Sequence, residues 1–298
     1  MNKIPLDLHC HSTHSDGIFT VQNLLEQALD KNLKVFSITD HDTLEGSKEL
    51  LSQPEPPDMS FIPGVEINTG TAKTEEYHIL GYFIDPFSET SLKKTLQYLK
   101  EARKKRIIKM IEKISQLGYQ ISLEEIINRP EAKKGTLGRP IIARVLVEKK
   151  YFPDVQAVFD KLLAPGTPGY VPREKIMPEN AIKLIVQSGG VPVLAHPFQP
   201  FTSWKKLEQD IKKFVKLGLQ GIEYYYSYNQ NYPQLIEIVS KYQPLLKQLV
   251  QEYELVTTAG SDYHGDRGVL GTALPKEELC KLYELKKLKP PLKLNLKC

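Results

Sequence analysis

Residues 4–17 read Ile-Pro-Leu-Asp-Leu-His-Cys-His-Ser-Thr-His-Ser-Asp-Gly, a short apolar run that ends in a His-x-His pair. The run predicts a strand over Ile4–His9, and its period of two places the rings of His9 and His11 on one face. Cys10 then points the other way, into the packing. Two imidazoles in this position can bind one cation, although such a pair by itself is more often structural.

Residue types that bind metals recur at the ends of the other predicted strands. They stand in Ser15-Asp16-Gly17, Thr39-Asp40-His41-Asp42, Pro63-Gly64-Val65-Glu66, Ala195-His196-Pro197 and Gly260-Ser261-Asp262-Tyr263-His264, and at His78, which opens a strand. In parallel β/α folds the carboxyl ends of the strands share one face, so we expect these side chains to converge there. Packing alone does not require so many, but Asp7, Asp40 and Asp42 can individually be caps or supports for the imidazoles.

The mixture of imidazoles and carboxylates predicts divalent cations. It suits Mn²⁺, which we expect, and also Zn²⁺, Fe²⁺ or Mg²⁺, whereas the lack of cysteine ligands argues against a structural zinc site. Eight or nine such ligands are too many for one ion, so we expect two or three. Such ions can activate a water and stabilise the charge of a leaving oxygen, which is the chemistry that hydrolyses phosphate esters.

The pattern of predicted strands and helices divides the chain into three parts. Short β-like runs alternate with helical patterns over 1–85 and again over 178–298, whereas 86–177 is helical in pattern. Alternating units predict parallel strands, and their number favours a barrel over a small open sheet. We therefore expect an α/β barrel interrupted by an all-helical insertion that acts as a lid. The tail from Lys276 is expected to be peripheral.

Several helices carry clear signals at their ends. Thr20 is placed to cap the first helix, and Ser122 with Glu125 has the spacing of a capping box. Leu92–Leu117 predicts one long helix, and Pro140 suits the first turn of another.

The charge of the chain is unevenly distributed. The formal net charge is +4, but residues 86–150 hold sixteen Lys/Arg and seven Asp/Glu, a local balance of +9 that leaves −5 for the rest. This predicts an anionic partner for the basic segment and bound cations for the acidic body. The alternative is that the lysines merely form a solvated helix face.

Composition also bears on location. No run approaches 18 apolar residues, which predicts no membrane span. The N-terminus reaches a charged residue too early for a signal peptide. Three widely separated cysteines predict no disulfide framework, so a reducing cytoplasm is the expected compartment.

In their order and form, the quoted motifs resemble those of the PHP (polymerase and histidinol phosphatase) family over 4–85 and 178–272. The resemblance implies a distorted (β/α)₇ barrel of the TIM type with a trinuclear metal site. It implies one ion on His9, His11, Glu66 and Asp262, a second on Asp16, His41 and His264, and a third on Glu66, His78 and His196.

The Ser-Asp-Gly form at Asp16 resembles one branch of that family. This branch removes phosphate from nucleoside 3′,5′-bisphosphates and trims short RNA from its 5′ end, whereas other branches often have His there. The insertion with Gly138-Arg139-Pro140 is also similar to that branch. Relatives commonly have His after Gly-Arg-Pro, and this chain has Ile141 instead. If that imidazole contacts substrate in relatives, the contact is absent here.

These residues predict a metal-dependent phosphoesterase. We expect Asp16, His41 and His264 to serve catalysis, and His14 is a candidate proton donor. Arg139 is expected to grip phosphate oxygens with its guanidinium, the alternative being an exposed arginine at a helix start.

The expected substrate is a nucleotide or short single-stranded RNA, with no obligate protein partner. Further substrate contacts are assigned to Lys133, Lys134, Arg144 and Tyr225. Aromatic packing is the alternative for the tyrosine. Two other functions stay open: hydrolysis of a phosphomonoester such as histidinol phosphate, and a non-catalytic metal-binding module.

Overall fold

A computed structural model describes residues 3–70, 77–129, 138–266 and 268–287. The chain forms two compact units. One unit comprises Met1–Lys94 and Ile176–Cys298, and the other, which we call the helical unit, comprises Thr95–Lys175. All predicted metal ligands belong to the first unit.

Two sheets form the described strands of the first unit. One contains, in spatial order, β3 (Ser60–Phe61), β2 (Val35–Phe36), β1 (Lys3–Asp7) and β9 (Thr272–Pro275). The other contains β4 (Gly64–Asn68), β5 (His78–Tyr82), β6 (Val191–Leu194), β7 (Gly221–Tyr226) and β8 (Val256–Gly260). Isolated bridges pair Cys10 with Tyr263 and His41 with Glu66, so residues that follow strands of one sheet pair with residues of the other.

The strand directions are mixed. The pairs β1–β2, β2–β3, β6–β7 and β7–β8 are parallel, but β4–β5, β5–β6 and β1–β9 are antiparallel. The expectation of uniformly parallel strands is therefore wrong for three pairs. Between Asn68 and His78 the connection is too short for the crossover that a parallel pair requires.

The described helices are, in chain order, α1 (Val21–Asp30), α2 (Glu45–Leu51), α3 (Ser91–Gln116), α4 (Leu123–Ile127), α5 (Arg139–Glu148), α6 (Val155–Val158), α7 (Pro178–Gln187), α8 (Trp204–Lys216), α9 (Tyr228–Asn231), α10 (Ile236–Glu252) and α11 (Lys276–Leu285). A π-helical turn at Phe159–Leu163 directly follows α6, and a 3₁₀ turn at Pro233–Leu235 directly precedes α10. Thr20 caps α1, and the predicted capping box of Ser122 and Glu125 is confirmed at α4. None of these helices is both long and apolar enough to cross a bilayer.

The core of the first unit includes the C-terminal helix. Leu6 and Leu8 from the N-terminal strand region pack in one cluster with Leu279 and Leu282 of α11, all of them buried. The prediction that the tail from Lys276 is peripheral is thus wrong for α11, because its apolar residues recur at helical spacing and form one buried face.

The helical unit has its own core. Among its described residues there is no strand, and buried aliphatic side chains of α3 and α5 form one cluster that includes Ile107, Ile114, Ile142 and Leu146. This packing of apolar stripes holds the basic helix α3 in place.

Two cysteines fall among the described residues. Cys10 is free and buried, as the sequence predicts, although β1 ends at Asp7 and not at the predicted His9. Cys280 lies on α11 and is buried as well.

Candidate metal centre

Eight of the predicted ligands form three overlapping groups whose donor atoms lie within 4.8 Å of one another. The first group is His9, His11, Glu66 and Asp262; the second is His11, Asp16, His41 and His264; the third is His41, Glu66 and His78. The ninth predicted ligand, His196, brings its Nε2 to 3.0 Å from Glu66. Side chains from both ends of the chain therefore share one site.

The first group has the spacing of a metal coordination shell. His9 Nε2 lies 3.3 Å from Glu66 Oε2 and 3.4 Å from Asp262 Oδ1. His11 Nε2 lies 3.2 Å and 3.1 Å from the same two oxygens. Ligands at ordinary metal–ligand distances around a tetrahedral ion stand about 3.3 Å apart. The four atoms thus fit around one cation.

Buried atoms in this site lack hydrogen bonds. His9 Nε2, His11 Nε2, His41 Nδ1 and Glu66 Oε2 are all buried and make no hydrogen bond of acceptable geometry. Unsatisfied buried polar atoms are rare in proteins and point to an ion or a water. Bound divalent cations would satisfy all four, so the donor set fits the predicted metals.

The second group is more open. Asp16 Oδ1 lies 3.2 Å from His264 Nε2, and Asp16 Oδ2 lies 3.7 Å from His41 Nε2. The Asp16 side chain is 42 % exposed, whereas the side chains of His9 and Glu66 are fully buried. The candidate metal centre therefore has a buried end and a solvent-exposed end.

Glu66 is the hub of the centre. Its Oε1 lies 2.9 Å from His78 Nδ1 and 3.0 Å from His196 Nε2, and its Oε2 lies 2.8 Å from His41 Nδ1. Burial opposes ionisation, but nearby histidines, His41 and His9 foremost, outweigh it and hold the pKa of Glu66 well below its usual value. The resemblance implied Glu66, His78 and His196 as ligands of a third ion, whereas the third group of donor atoms contains His41 with Glu66 and His78, and His196 lies beside Glu66.

The antiparallel strand β5 explains the position of His78. His78 is the first residue of its strand, and in a parallel sheet it would lie at the end away from the other ligands. It pairs instead with Asn68, the last residue of β4, and the next residue pairs with Leu194, the last residue of β6. The strand that breaks the predicted parallel pattern thereby brings a ligand to the site.

Backbone hydrogen bonds join the first and last motifs. The N–H of His11 donates to the carbonyl of Tyr263 at 2.9 Å, and the N–H of Asp262 donates to the carbonyl of His9 at 2.7 Å. These bonds hold His9, His11 and Asp262 together although they are distant in sequence.

Three residues of the motifs have a left-handed backbone. The φ angles are 55° at Asp42, 24° at His196 and 54° at Asp262. Such conformations are strained for non-glycine residues and cluster where a side chain must be held in a set position. Asp42 is held by Asn68, whose N–H and side-chain amide donate to its carboxylate at 3.0 and 3.2 Å.

Two buried aspartates support the loops that carry the ligands. Asp7 accepts the Ser261 hydroxyl at 2.5 Å and the Ser261 N–H at 3.0 Å. Asp40 accepts the Ser12 hydroxyl at 2.7 Å and the Ser15 hydroxyl at 2.6 Å. Both residues therefore act as supports, one of the two roles that the sequence left open for them.

A β-bulge in β7 changes which tyrosine faces the site. Glu223 is opposite Thr258 and Tyr225 is opposite Ala259, so Tyr224 is an extra residue. Simple alternation places Tyr225 on the same face as Glu223, but the bulge places Tyr226 there. The hydroxyl of Tyr226 donates to Asp262 Oδ2 at 2.8 Å.

Tyr225 instead lines a cavity with residues such as Lys247 and Lys281, away from the ligands. Tyr225, the predicted substrate contact, therefore does not lie beside the predicted metal ligands, whereas Tyr226 does. Burial and the neighbouring Asp262 raise the pKa of Tyr226 far above its usual value, so its phenol stays protonated and acts as a hydrogen-bond donor to Asp262.

The remaining candidates lie as follows. His14 Nε2 is 2.6 Å from Glu49 Oε2, at the partly exposed side of the loop. Arg139 begins α5, donates to the Leu163 carbonyl at 3.2 Å and stacks over Tyr170. Arg144 is exposed on the same helix. The predicted contacts at Lys133 and Lys134 lie outside the described residues.

Ile141 is a core residue of the helical unit. Its side chain is buried and packs in the cluster formed by α3 and α5. An imidazole at this position, as the resemblance leads one to expect, would here have to enter an aliphatic core.

Comparison with known proteins agrees with this geometry. The family model of the PHP domain matches residues 7–285. A 3′,5′-nucleoside bisphosphate phosphatase from Chromobacterium violaceum is 32% identical over 73% of this chain and 75% of its own. The 5′-3′ exoribonuclease Rnm from Escherichia coli is 32% identical over 87% of this chain and 84% of its own.

A solved structure has a similar fold. A protein from Bifidobacterium adolescentis, provisionally assigned as a metal-dependent phosphoesterase, superposes with a TM-score of 0.75 at 25% identity over 94% of this chain and 96% of its own. The mixed α/β fold and the histidine–carboxylate site thus define a metal-dependent phosphoesterase. The chain belongs to the PHP domain family, as its motifs predicted.

Proposed function

We propose that this phosphoesterase removes the 3′-phosphate of nucleoside 3′,5′-bisphosphates. The observation that carries the proposal is the overlap of three ligand groups on His11, His41 and Glu66. Shared ligands would hold two ions close together, an arrangement that suits displacement at phosphorus. The phosphatase from C. violaceum is named for this reaction.

Two or three Mn²⁺ ions are the proposed cofactors. His9, His11, Glu66 and Asp262 would hold one, Asp16, His41 and His264 a second, and Glu66, His78 and His196, with His41 beside them, a third. Bound there, the ions supply an activated water and positive charge at phosphorus. We also propose that the two sheets close as a distorted barrel, supported by the hydrogen bond from the Leu8 N–H to the Ala259 carbonyl.

The exposed end of the site is where the reacting phosphate is proposed to bind. Asp16 is the most exposed carboxylate of the centre, and His264 and His41 are 12 % and 15 % exposed. The reacting phosphate is proposed to approach these three residues, while the buried first group anchors the centre. His14, held by Glu49, is the candidate that returns a proton to the leaving oxygen.

Arginines of the helical unit are proposed to bind the second phosphate. The guanidinium groups of Arg106 and Arg139 both lie over the Tyr170 ring, at 5.7 and 5.9 Å from its centroid. Burial, and next the charge of Arg139, lower the pKa of Arg106 to about 10, which reflects two cations close together. Among the described residues Arg139 forms no ion pair, so it has donors left for a phosphate.

The test is phosphate release from adenosine 3′,5′-bisphosphate by protein loaded with a defined amount of Mn²⁺. We expect turnover by the native chain and by Lys104→Ala, which removes an exposed cation of α3. Turnover should stop in the double variant His41→Ala, Asp262→Ala. Continued activity of that double variant would refute the proposal.

Trimming of short RNA from its 5′ end is the second candidate. It is favoured by the E. coli exoribonuclease, whose match extends over 87% of the chain. Release of mononucleotides from a 5′-phosphorylated oligoribonucleotide distinguishes it. Turnover of monoesters alone would favour a histidinol-phosphate-like specificity, and bound metal without any turnover would favour an interaction module.

A further inference from the structure

The strand β7 contributes no member of the three ligand groups, yet two of its side chains touch ligands. Glu223 is fully buried and Tyr226 nearly so. Glu223 contacts His9 and His196, and Tyr226 contacts Asp262. We infer that Glu223 and Tyr226 are positioning residues that set the metal affinity and coordination of the first group. The inference rests on the metal centre of the proposed function, but not on its substrate.

Glu223 fixes the orientation of His9. Its Oε1 lies 2.9 Å from His9 Nδ1, and a carboxylate there accepts the Nδ1–H. The lone pair of His9 is then on Nε2, which faces Glu66 and Asp262. A carboxylate in this position also makes a ligating imidazole more basic.

The same carboxylate holds a second motif. Glu223 Oε2 accepts the backbone N–H of His196 at 2.9 Å. His196 has a strained backbone, and this bond is one that stabilises it. One buried side chain thus connects the ligand loop after β1 with the loop after β6.

Tyr226 controls which oxygen of Asp262 is available. Its hydroxyl donates to Oδ2 at 2.8 Å, while Oδ1 faces His9 and His11. Asn231 donates to the Tyr226 oxygen at 3.0 Å, which directs the phenol hydrogen toward Asp262. Asp262 is therefore prepared to offer a single oxygen.

The backbone around this pair is adapted to it. The bulge at Tyr224 allows Glu223 and Tyr226 to share a face. Gly260 of β8 leaves the necessary room, because a Cβ there would lie 2.2 Å from His9 Cβ and 2.5 Å from Glu223 Oε1. Both features favour a dedicated arrangement over incidental packing.

The experiment measures metal binding without substrate. Chelated protein is equilibrated with a series of free Mn²⁺ concentrations, and bound metal is counted for Glu223→Gln, Tyr226→Phe and the matched control Tyr225→Phe. Glu223→Gln should raise the half-saturating concentration of at least one ion by about 10- to 100-fold. The control should bind as the native chain does, since Tyr225 lies on the other face of β7.

Cobalt absorption provides a second readout. If Tyr226→Phe frees Oδ2 to bind the ion, coordination increases and the visible absorption of bound Co²⁺ weakens, while Tyr225→Phe leaves it unchanged. Melting of the chelated variants within a few degrees of the native chain establishes that they fold.

Native metal affinity in folded Glu223→Gln, together with a native cobalt spectrum in Tyr226→Phe, would overturn the inference. A loss of metal affinity in a chain that hydrolyses no phosphoester would leave it standing and refute only the proposed function. The two can thus fail separately.

Discussion

The two units of the molecule place their charged side chains in opposite ways. The first unit buries His9, His11 and Glu66 completely and holds the ring of His9 with a hydrogen bond to Glu223. The helical unit has an aliphatic core and places the guanidinium groups of Arg106 and Arg139 over the ring of Tyr170. Buried charges with strict geometry suit chemistry, and cations on a helical scaffold suit recognition of a polyanion. Chemistry and substrate choice are therefore expected to respond to separate substitutions.

Substitution at the hub should have the largest effect. Glu66→Gln keeps the shape of the side chain but removes the negative charge that two of the three ligand groups share and that five histidines face. We expect kcat/KM to fall by about 10³-fold or more, because the charge held at the reacting phosphate is worth several kcal/mol. The value of kcat/KM from steady-state kinetics and the number of bound ions per chain should fall together. Glu26→Gln, a change of an exposed glutamate on α1, is the control, and a fully metallated, active Glu66→Gln would contradict the account.

Asp16→Asn should separate the open end of the centre from its buried end. We expect about a 10²-fold fall in kcat, since one charged ligand is lost from the second group. The buried first group should still bind metal. Equilibrium metal counts test this, and the loss of every ion would mean that the two ends are not independent.

Arg139→Ala should disturb recognition and spare chemistry. A charge-assisted contact to phosphate is worth about 1.5–3 kcal/mol, so kcat/KM for adenosine 3′,5′-bisphosphate should fall about 10- to 100-fold. Turnover of a simple monoester should be unchanged, and Arg139→Lys should recover only part of the loss. Equal losses for both substrates would break the proposed division between the units.

The pH dependence of stability tests the assignment of the buried histidines as metal ligands. Burial opposes protonation, but Asp262 and Glu66 raise the pKa of His11 to about 10 in the metal-free site. A histidine whose pKa is raised on folding stabilises the folded state fully below about pH 6.5. This stabilisation is lost as the pH rises toward 10, by at most about 1.4 kcal/mol per pH unit for each proton.

Chelated protein should therefore melt at lower temperature at pH 9 than at pH 6.5. Metal-loaded protein should show the opposite trend, because protons compete with cations for the imidazoles at low pH. Thermal denaturation across this range, with and without chelator, measures both signs. The same trend in both forms would contradict the assignment of these histidines as ligands.

The sequence predicted the residue types of the site better than its geometry. His, Asp and Glu at strand ends are unusual enough to indicate ligands without coordinates. The same pattern placed His78 at a strand start and left unexplained how it reaches the site. Strand direction explains it, and direction depends on the short connection before β5 and on pairing partners that period-two alternation does not encode.

The roles of Glu223 and Tyr226 could not be predicted from the sequence. A single glutamate in a strand is common, and only its depth and its distance to His9 reveal a role. The choice between Tyr225 and Tyr226 depends on one extra residue in β7, because a bulge reverses the faces of all residues after it. The apolar spacing of α11 was a visible signal, but the Lys-rich composition of that segment obscured it.

The central claim is that side chains from distant motifs hold cations in common. Anomalous diffraction from crystals of the Mn²⁺-loaded protein tests it most directly. The account predicts two or three peaks, one among His9, His11, Glu66 and Asp262 and another among Asp16, His41 and His264. A single peak that Glu66 does not contact, or no peak among these residues, would contradict it.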